Sequence, residues 1–168
     1  QAASEIGIHE PAFSWETAGA ALWIVGAVLL LSIALIRYIR LRRRLFTATR
    51  LEGNVWRSEK VTSPFILGVF RPRIYVPYWL EGTELQYVLQ HEKHHIRRHD
   101  PFFQLLAFCL LALHWFNPLC WLAFYLMSRD MEMSCDEYVL GKGGSAKVYG
   151  TLLLSFASHH HFPLPSPI

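Results

Sequence analysis

Charge is scarce in this chain of 168 residues: Asp, Glu, Lys and Arg make up 17% of the sequence, whereas hydrophobic residues make up 52%. The mean hydropathy of +0.22 is high for a soluble protein. No charged residue occurs among the nineteen residues from Ala18 to Ile36, which approach the roughly 20 that a helix needs to cross a hydrocarbon core. The sequence therefore predicts a transmembrane helix at 18–36.

Five arginines follow this apolar segment directly, at positions 37, 40, 42, 43 and 44. Because basic residues accumulate on the cytoplasmic side of a membrane, we expect 1–17 to be extracytoplasmic and 37–150 to face the cytoplasm. A signal peptide would carry its charge before the apolar run and a small-residue cleavage pattern after it, so a membrane span is favoured. We expect residues 151–168 to form a tail or the start of a further segment.

Cysteine is also scarce, with three residues at positions 109, 120 and 135. An odd set on the reducing side of a membrane indicates free thiols and argues against a disulfide framework. The net charge of +3 is modest, and no nucleic-acid-binding motif is present. We expect no direct contact with nucleic acid, and we expect Arg40–Arg44 to meet anionic lipid headgroups instead.

The segment after the arginines mixes β-branched and aromatic residues with Pro and Gly, which predicts two or three short strands. Pro77 cannot donate a ladder hydrogen bond, so the strand Arg73–Val76 is predicted at a sheet edge, where an extended substrate could add to it. The pattern then changes to helical spacing. Thr83 and Gln86 form a capping-box pattern, which predicts a helix over about 84–100, with Pro101 either interrupting it or beginning the next helix.

That helix carries the pattern H-E-x-x-H at residues 91–95. His91 and His95 are one turn apart on one face, so both can bind one zinc ion. Glu92 then reaches the zinc-bound water and can act as its general base. The alternative interpretation is a solvated basic patch at the end of a helix, since a pattern with three fixed positions also arises by chance.

A third ligand is expected from a returning helical arm. The apolar segment after Pro101 is divided by Asn117-Pro118, which predicts a helical hairpin at 102–127 that dips into or across the bilayer and returns to the cytoplasmic side. A buried hairpin of a soluble core is the alternative. Counting residues along the return arm places Glu132 level with Phe102 and Asp136 level with Arg98. One of these two carboxylates can bind the metal while the other orients a histidine.

Two further residues near this site are possible metal ligands. His99 continues the histidine stripe, but three ligands from consecutive turns of one straight helix cannot easily surround a tetrahedral ion. Cys135 lies between Glu132 and Asp136 and is expected to pack rather than to bind metal.

Four segments, HEKHH, HWFNPLCW, RDMEMSCDEYVL and SPFILGVFRPRIYVP, together resemble the membrane-embedded zinc peptidase domain of the BlaR/MecR-type β-lactam sensor-transducers. The resemblance extends from the membrane span to about Tyr149. It implies that Zn²⁺ is bound by His91, His95 and Glu132, that Glu92 is catalytic, and that Asp136 supports the ligands from outside the metal shell.

The resemblance also implies a fold and a function. The fold is a membrane α+β domain with a transmembrane helix, a small sheet, the H-E-x-x-H helix and a membrane-associated hairpin. The function is zinc-dependent proteolysis of a cytoplasmic DNA-binding repressor, with self-cleavage as an additional outcome, at a bacterial plasma membrane in response to an external signal. The family's sensor motif Ser-x-x-Lys is missing from these residues, so the inducing ligand stays open.

A non-catalytic membrane transducer, in which the metal only holds helices together, is the alternative function. Glu92 favours the enzyme, because a structural metal site needs no general base. A membrane quality-control or prenyl-protein protease would share the same metal chemistry and is disfavoured only by the resemblance.

Overall fold

The computed structural model describes residues 15–143 and 145–159, which form helices around one small sheet, in keeping with the α+β class that the sequence predicts. Residues 1–14 of the predicted extracytoplasmic segment and residues 160–168 of the predicted tail lie outside the described residues. In chain order the elements are α1 (Trp15–Arg44), a 3-10 turn (Leu45–Thr47), β1 (Thr49–Glu52), β2 (Val55–Arg57), β3 (Phe65–Leu67), β4 (Arg73–Val76), α2 (Gly82–Arg97), α3 (Asp100–Leu113), α4 (Pro118–Gly141) and α5 (Ala146–His159).

Helix α1 extends beyond the predicted span 18–36 at both ends. Its C-terminal extension contains the arginines that follow the apolar run, which are themselves good helix formers. The segment Trp15–Thr47 is long and apolar enough to cross a membrane, and only 6% of its most apolar 18-residue window is buried. Within the described residues it is the one helix that meets both criteria, while α3 is apolar but shorter.

The sheet has the strand order β1-β2-β4-β3, so the prediction that Arg73–Val76 forms an edge strand was wrong. Strand β4 pairs parallel with β2 and antiparallel with β3. Pro77 follows the last paired residue of β4, so its missing N–H interrupts no ladder hydrogen bond. The edges of the described sheet are β1 and β3.

One apolar core joins the sheet to three helices. Ile74 and Val76 of β4 are fully buried, which suits an interior strand covered by helices. Helix α2 contributes Val88, and α4 contributes Val139. The other buried members of this core are Val55, Leu80, Tyr149 and Leu152. Helices α2, α4 and α5 are therefore held against one another beside the sheet.

The predicted helix 84–100 corresponds to α2, which ends three residues earlier than predicted, and Pro101 lies in the first turn of the next helix, one of the two outcomes that the sequence leaves open. Helix α2 begins at Gly82 after an extended Glu81 that makes no side-chain cap, so the capping box at Thr83 is not formed. It ends at Arg97, and His99 adopts the left-handed conformation with φ of 59°. Helix α3 then begins at Asp100 with Pro101 in its first turn, where proline's missing N–H costs no helical hydrogen bond.

The turn at Asn117-Pro118 joins α3 to α4, as the sequence predicts. The Asn117 side chain accepts a hydrogen bond from Leu119 N at 2.9 Å and caps α4. Helix α4 continues without a break past the predicted hairpin limit of residue 127 to Gly141. The hairpin tip rests on α1: Trp23 Nε1 donates to Leu113 O at 2.7 Å, and Trp115 Nε1 donates to Trp23 O at 3.3 Å.

Gly26 of α1 faces this tip, and a Cβ placed there would overlap the Trp115 indole. We predict that Gly26→Ala lowers the free energy of unfolding by about 1–3 kcal/mol, the usual cost of overpacking, although alanine is the better helix former. Thermal unfolding in one detergent measures the change. Gly19→Ala is the matched control, because an added Cβ there meets nothing within 4 Å; equal or higher stability of both variants would contradict the packing of the hairpin on α1.

Candidate metal centre and active site

The two histidines of the H-E-x-x-H pattern point their outer ring nitrogens at one another. Both belong to α2, and the Nε2 atoms of His91 and His95 lie 3.2 Å apart. The two rings are partly buried and meet edge to face, with centroids 4.9 Å apart. Two aromatic nitrogens that converge in this way leave room for a shared cation.

Glu132 of α4 completes a triangle of donor atoms. Its Oε2 lies 3.4 Å from His91 Nε2, and its Oε1 lies 3.7 Å from His95 Nε2. Ligands arranged tetrahedrally around zinc at about 2.0–2.1 Å are about 3.3–3.4 Å apart, so these spacings fit the ion. The donor set of two histidines and one glutamate is one that catalytic zinc sites use, with the fourth position left open.

Glu132 lies at a different height along the paired helices from the one that the sequence predicts. The prediction placed Glu132 beside Phe102 and Asp136 beside Arg98. In the structure Glu132 lies between His91 and His95, and Asp136 lies beside His91. The prediction assumed that residues 84–102 continue along one helix. The left-handed turn at His99 separates α2 from α3, so α4 packs along α2 itself.

Each histidine is also held at its inner nitrogen. His95 Nδ1 lies 2.8 Å from Asp100 Oδ2, and this carboxylate is almost completely buried at the start of α3. His91 Nδ1 lies 2.9 Å from the Tyr149 hydroxyl and 3.2 Å from Asp136 Oδ1. Hydrogen bonds at Nδ1 fix the ring orientation and the tautomer that leaves Nε2 free to bind metal.

Sequence reasoning missed Asp100 and Tyr149. Asp100 stands directly before Pro101, a pattern of helix N-termini, which could have suggested a helix start with its carboxylate near His95. Tyr149 is separated from His91 by 58 residues. Only the tertiary packing of α5 on α2 brings these two side chains together.

Charge in this cluster favours a cation. Hydrogen bonds from His91 and His95 lower the pKa of the Glu132 carboxyl to about 2. Burial lowers the pKa of His95, but hydrogen bonds to Glu132 and Asp100 outweigh burial and raise it to about 9. Glu132 is therefore ionised at neutral pH, and a metal ion would compete with a proton for His95.

Glu92 is, with Asp100, one of two buried carboxyls at this site, and 9% of its surface is exposed. Burial raises its pKa, and Glu132 adds to that effect, while the neighbouring histidines His91 and His95 oppose it. A carboxylate with a raised pKa is a better proton acceptor near neutral pH than an exposed one. The position suits the general base that the sequence predicts.

A cavity of about 190 Å³ opens onto these side chains. Its polar wall consists of His91, Glu92, Glu132, Asp136 and Tyr149. Its other lining residues are Ser63 and Pro64 before β3, Val88 of α2, and Leu152, Leu153 and Phe156 of α5. The cavity thus joins the candidate metal ligands to an apolar wall and to one end of an edge strand.

A second grouping of possible metal ligands consists of His91, His95 and Cys135, with donor atoms within 4.8 Å of one another. The Cys135 sulfur lies 3.4 Å from His95 Nδ1, the nitrogen that Asp100 already occupies. The geometry therefore favours Glu132 as the third ligand. His99 is exposed and lies outside this grouping.

Comparison with known proteins identifies a family for this chain. Residues 3–164 match the family described as BlaR1 peptidase M56. The chain is 36% identical over 108 residues to the regulatory protein BlaR1 of Bacillus licheniformis, which covers 61% of this chain and 18% of that protein. It is 30% identical over 87 residues to the methicillin resistance mecR1 protein of Staphylococcus aureus, which covers 49% of this chain and 15% of that protein.

The chain thus spans less than a fifth of the length of these two relatives. The family match nevertheless extends over nearly all of the chain, including α2, the hairpin and α5. On this match, the chain belongs to the BlaR1 peptidase M56 family, a family of metallopeptidases.

Proposed function

We propose that this chain forms the catalytic part of a membrane-embedded zinc endopeptidase that cleaves a cytoplasmic regulatory protein. The observation that carries the proposal is the convergence of His91, His95 and Glu132 at spacings of 3.2–3.7 Å, beside the buried Glu92 and open to a cavity. A metal that only held helices together would not need this carboxyl or this access.

The chemistry follows from the placement of these groups. When bound, zinc supplies the Lewis acidity that activates water for attack on a peptide carbonyl. His91, His95 and Glu132 would hold the ion, and the Nδ1 contacts to Asp136 and Asp100 would keep the two rings in place. The Glu92 carboxylate would accept the proton of the attacking water and deliver it to the leaving nitrogen.

Strand β3 is the better candidate for holding the substrate, now that β4 is known to lie inside the sheet. Ser63 and Pro64 lead into β3 and also line the cavity beside Glu92. An extended peptide that paired with the free edge of β3 would therefore run past the candidate metal ligands. The apolar wall formed by α5 suits an apolar side chain next to the scissile bond.

We propose that α1 and the hairpin lie in a membrane, because both expose a large apolar surface. Along the hairpin, the large apolar residues that are at least 45% exposed are Phe102, Phe103, Leu106, Leu110, Phe116, Leu119, Leu122 and Tyr125. Such a surface is stable in lipid but not in water. The sheet follows Arg44 directly, so the candidate site lies at the basic, cytoplasmic end of α1.

The substrate is inferred from similarity. The names of the two relatives refer to regulation and to methicillin resistance. We infer that this chain cleaves a cytoplasmic DNA-binding repressor, and itself, in the induction of antibiotic resistance at a bacterial plasma membrane.

The metal assignment predicts which side chains control zinc binding. Detergent-purified wild type should bind one zinc per chain, and Glu132→Gln should weaken binding by more than the roughly 10–100-fold that loss of an outer-shell partner costs. Competition against a chromophoric chelator measures the affinity. Cys135→Ser and His99→Asn should keep wild-type affinity, and asparagine tolerates the left-handed conformation at position 99. Loss of zinc from Cys135→Ser with retention in Glu132→Gln would show that the thiol is the third ligand.

The general-base assignment predicts a separation of binding from catalysis. Glu92→Gln should retain full zinc and lose at least about 100-fold in the rate of cleavage of a co-expressed repressor or of the chain itself. Glu84→Gln, an exposed glutamate on the same helix, is the control and should cleave normally. Normal cleavage by zinc-loaded Glu92→Gln would overturn the assignment, and zinc without cleavage in wild type would favour the non-catalytic transducer.

The proposed orientation predicts opposite accessibility for two exposed glutamates. Glu16 lies at the start of α1, and Glu59 lies in the loop after β2. With a membrane-impermeant thiol reagent, Glu16→Cys should be labelled in intact cells, and Glu59→Cys only after the cytoplasmic side is opened. The wild-type chain gives the background from its own cysteines. Labelling of Glu59→Cys in intact cells would place the candidate site outside.

A further inference from the structure

Tyr149 is a buried tyrosine of α5 whose hydroxyl lies inside the candidate metal centre. Only 3% of its surface is exposed. The hydroxyl donates a hydrogen bond to Asp136 Oδ1 at 2.7 Å and lies 2.9 Å from His91 Nδ1. Tyr149 belongs neither to the H-E-x-x-H pattern nor to the carboxylates of α4, so these predicted site residues do not explain its position.

The positions of the protons follow from these contacts. A tyrosine hydroxyl has one proton, and here Asp136 accepts it. The same oxygen can therefore only accept from His91, which places the His91 proton on Nδ1. A neutral imidazole with its proton on Nδ1 has its lone pair on Nε2, the atom that faces His95 and Glu132.

We propose that Tyr149, anchored by Asp136, is a positioning residue that holds His91 in the orientation and tautomer required to bind the metal. The proposal rests on the proposed metal site and adds to it a residue from a fourth element, α5. It concerns the binding of the ion, and no contact between Tyr149 and the substrate is needed for it.

Helix α5, which carries Tyr149, also lines the cavity. Leu152, Leu153 and Phe156 of the same helix form the apolar wall of the cavity. Tyr149 and Leu152 also belong to the buried core that holds α5 against α2 and β4. The helix that would contact the substrate side chain is thus the helix that holds a metal ligand, so displacement of α5 would disturb both together.

The test is the zinc affinity of Tyr149→Phe, which removes one oxygen atom and keeps the buried ring. We expect zinc binding about 10–100-fold weaker than in wild type, the usual cost of losing an outer-shell partner of a histidine ligand. Tyr87→Phe is the matched control: its ring contacts the Tyr149 ring edge to face, with centroids 6.2 Å apart, and its hydroxyl meets only the Ser145 amide among the contacts seen. Tyr87→Phe should bind zinc within about twofold of wild type.

A second readout separates positioning from packing. Cobalt bound in place of zinc reports ligand geometry through its visible absorption, which should change in Tyr149→Phe and not in Tyr87→Phe. The double variant Tyr149→Phe, Asp136→Asn should lose less zinc-binding free energy than the two single variants lose in sum, because both side chains act on the His91 ring. Wild-type zinc affinity and an unchanged cobalt spectrum in folded Tyr149→Phe would overturn the proposal.

Two outcomes keep this test distinct from that of the proposed function. A wild type that binds zinc but cleaves nothing would contradict the endopeptidase and leave the affinity comparison decisive for Tyr149. If Tyr149→Phe does not fold, Asp136→Asn alone decides, since it leaves every ring in place and replaces the charged acceptor of the hydroxyl by a weaker, neutral one. Zinc affinity in Asp136→Asn equal to that of wild type would then overturn the proposal.

Discussion

The candidate metal centre depends on holding two imidazole rings at both of their nitrogens. A histidine on an exposed helix face rotates freely, and converging nitrogens at 3.2 Å are unfavourable without partners that fix the rings and a charge between them. In this chain each Nδ1 is held by a group from another helix: Asp100 of α3 for His95, and Asp136 of α4 with Tyr149 of α5 for His91. The site therefore exists only where four helices meet.

The turn at His99 makes the contact between Asp100 and His95 possible. On a continuous helix two residues five positions apart point about 140° away from each other around the axis, so Asp100 would face away from His95. A non-glycine residue in the left-handed region costs on the order of 1–3 kcal/mol. The hydrogen bond to His95 and the Arg98 contact at 3.5 Å offset that cost, and the N-terminus of α3 stabilises the carboxylate.

Sequence reasoning succeeded for structural features that are encoded locally. His91 and His95 could be paired because helical spacing alone puts residues four apart on one face. The hairpin turn could be placed because Asn117 and Pro118 act within a few residues. The edge position of Arg73–Val76 and the height of Glu132 along α2 were predicted wrongly, because both depend on how elements pack across the chain. Tyr149 could not be found at all, since nothing in the sequence near Tyr149 refers to a histidine on α2.

Helix α4 links the apolar hairpin to the candidate metal centre. It runs unbroken from Pro118 at the hairpin tip, and Leu126 is its last apolar residue that is well exposed before the polar residues begin. Glu132 follows six residues later, a rise of about 9 Å. On the proposed topology the catalytic centre thus lies close to the membrane surface, beside a cavity of about 190 Å³. A folded domain cannot enter a space of that size, so a scissile bond must reach it on an extended segment, which is the form that the free edge of β3 can hold.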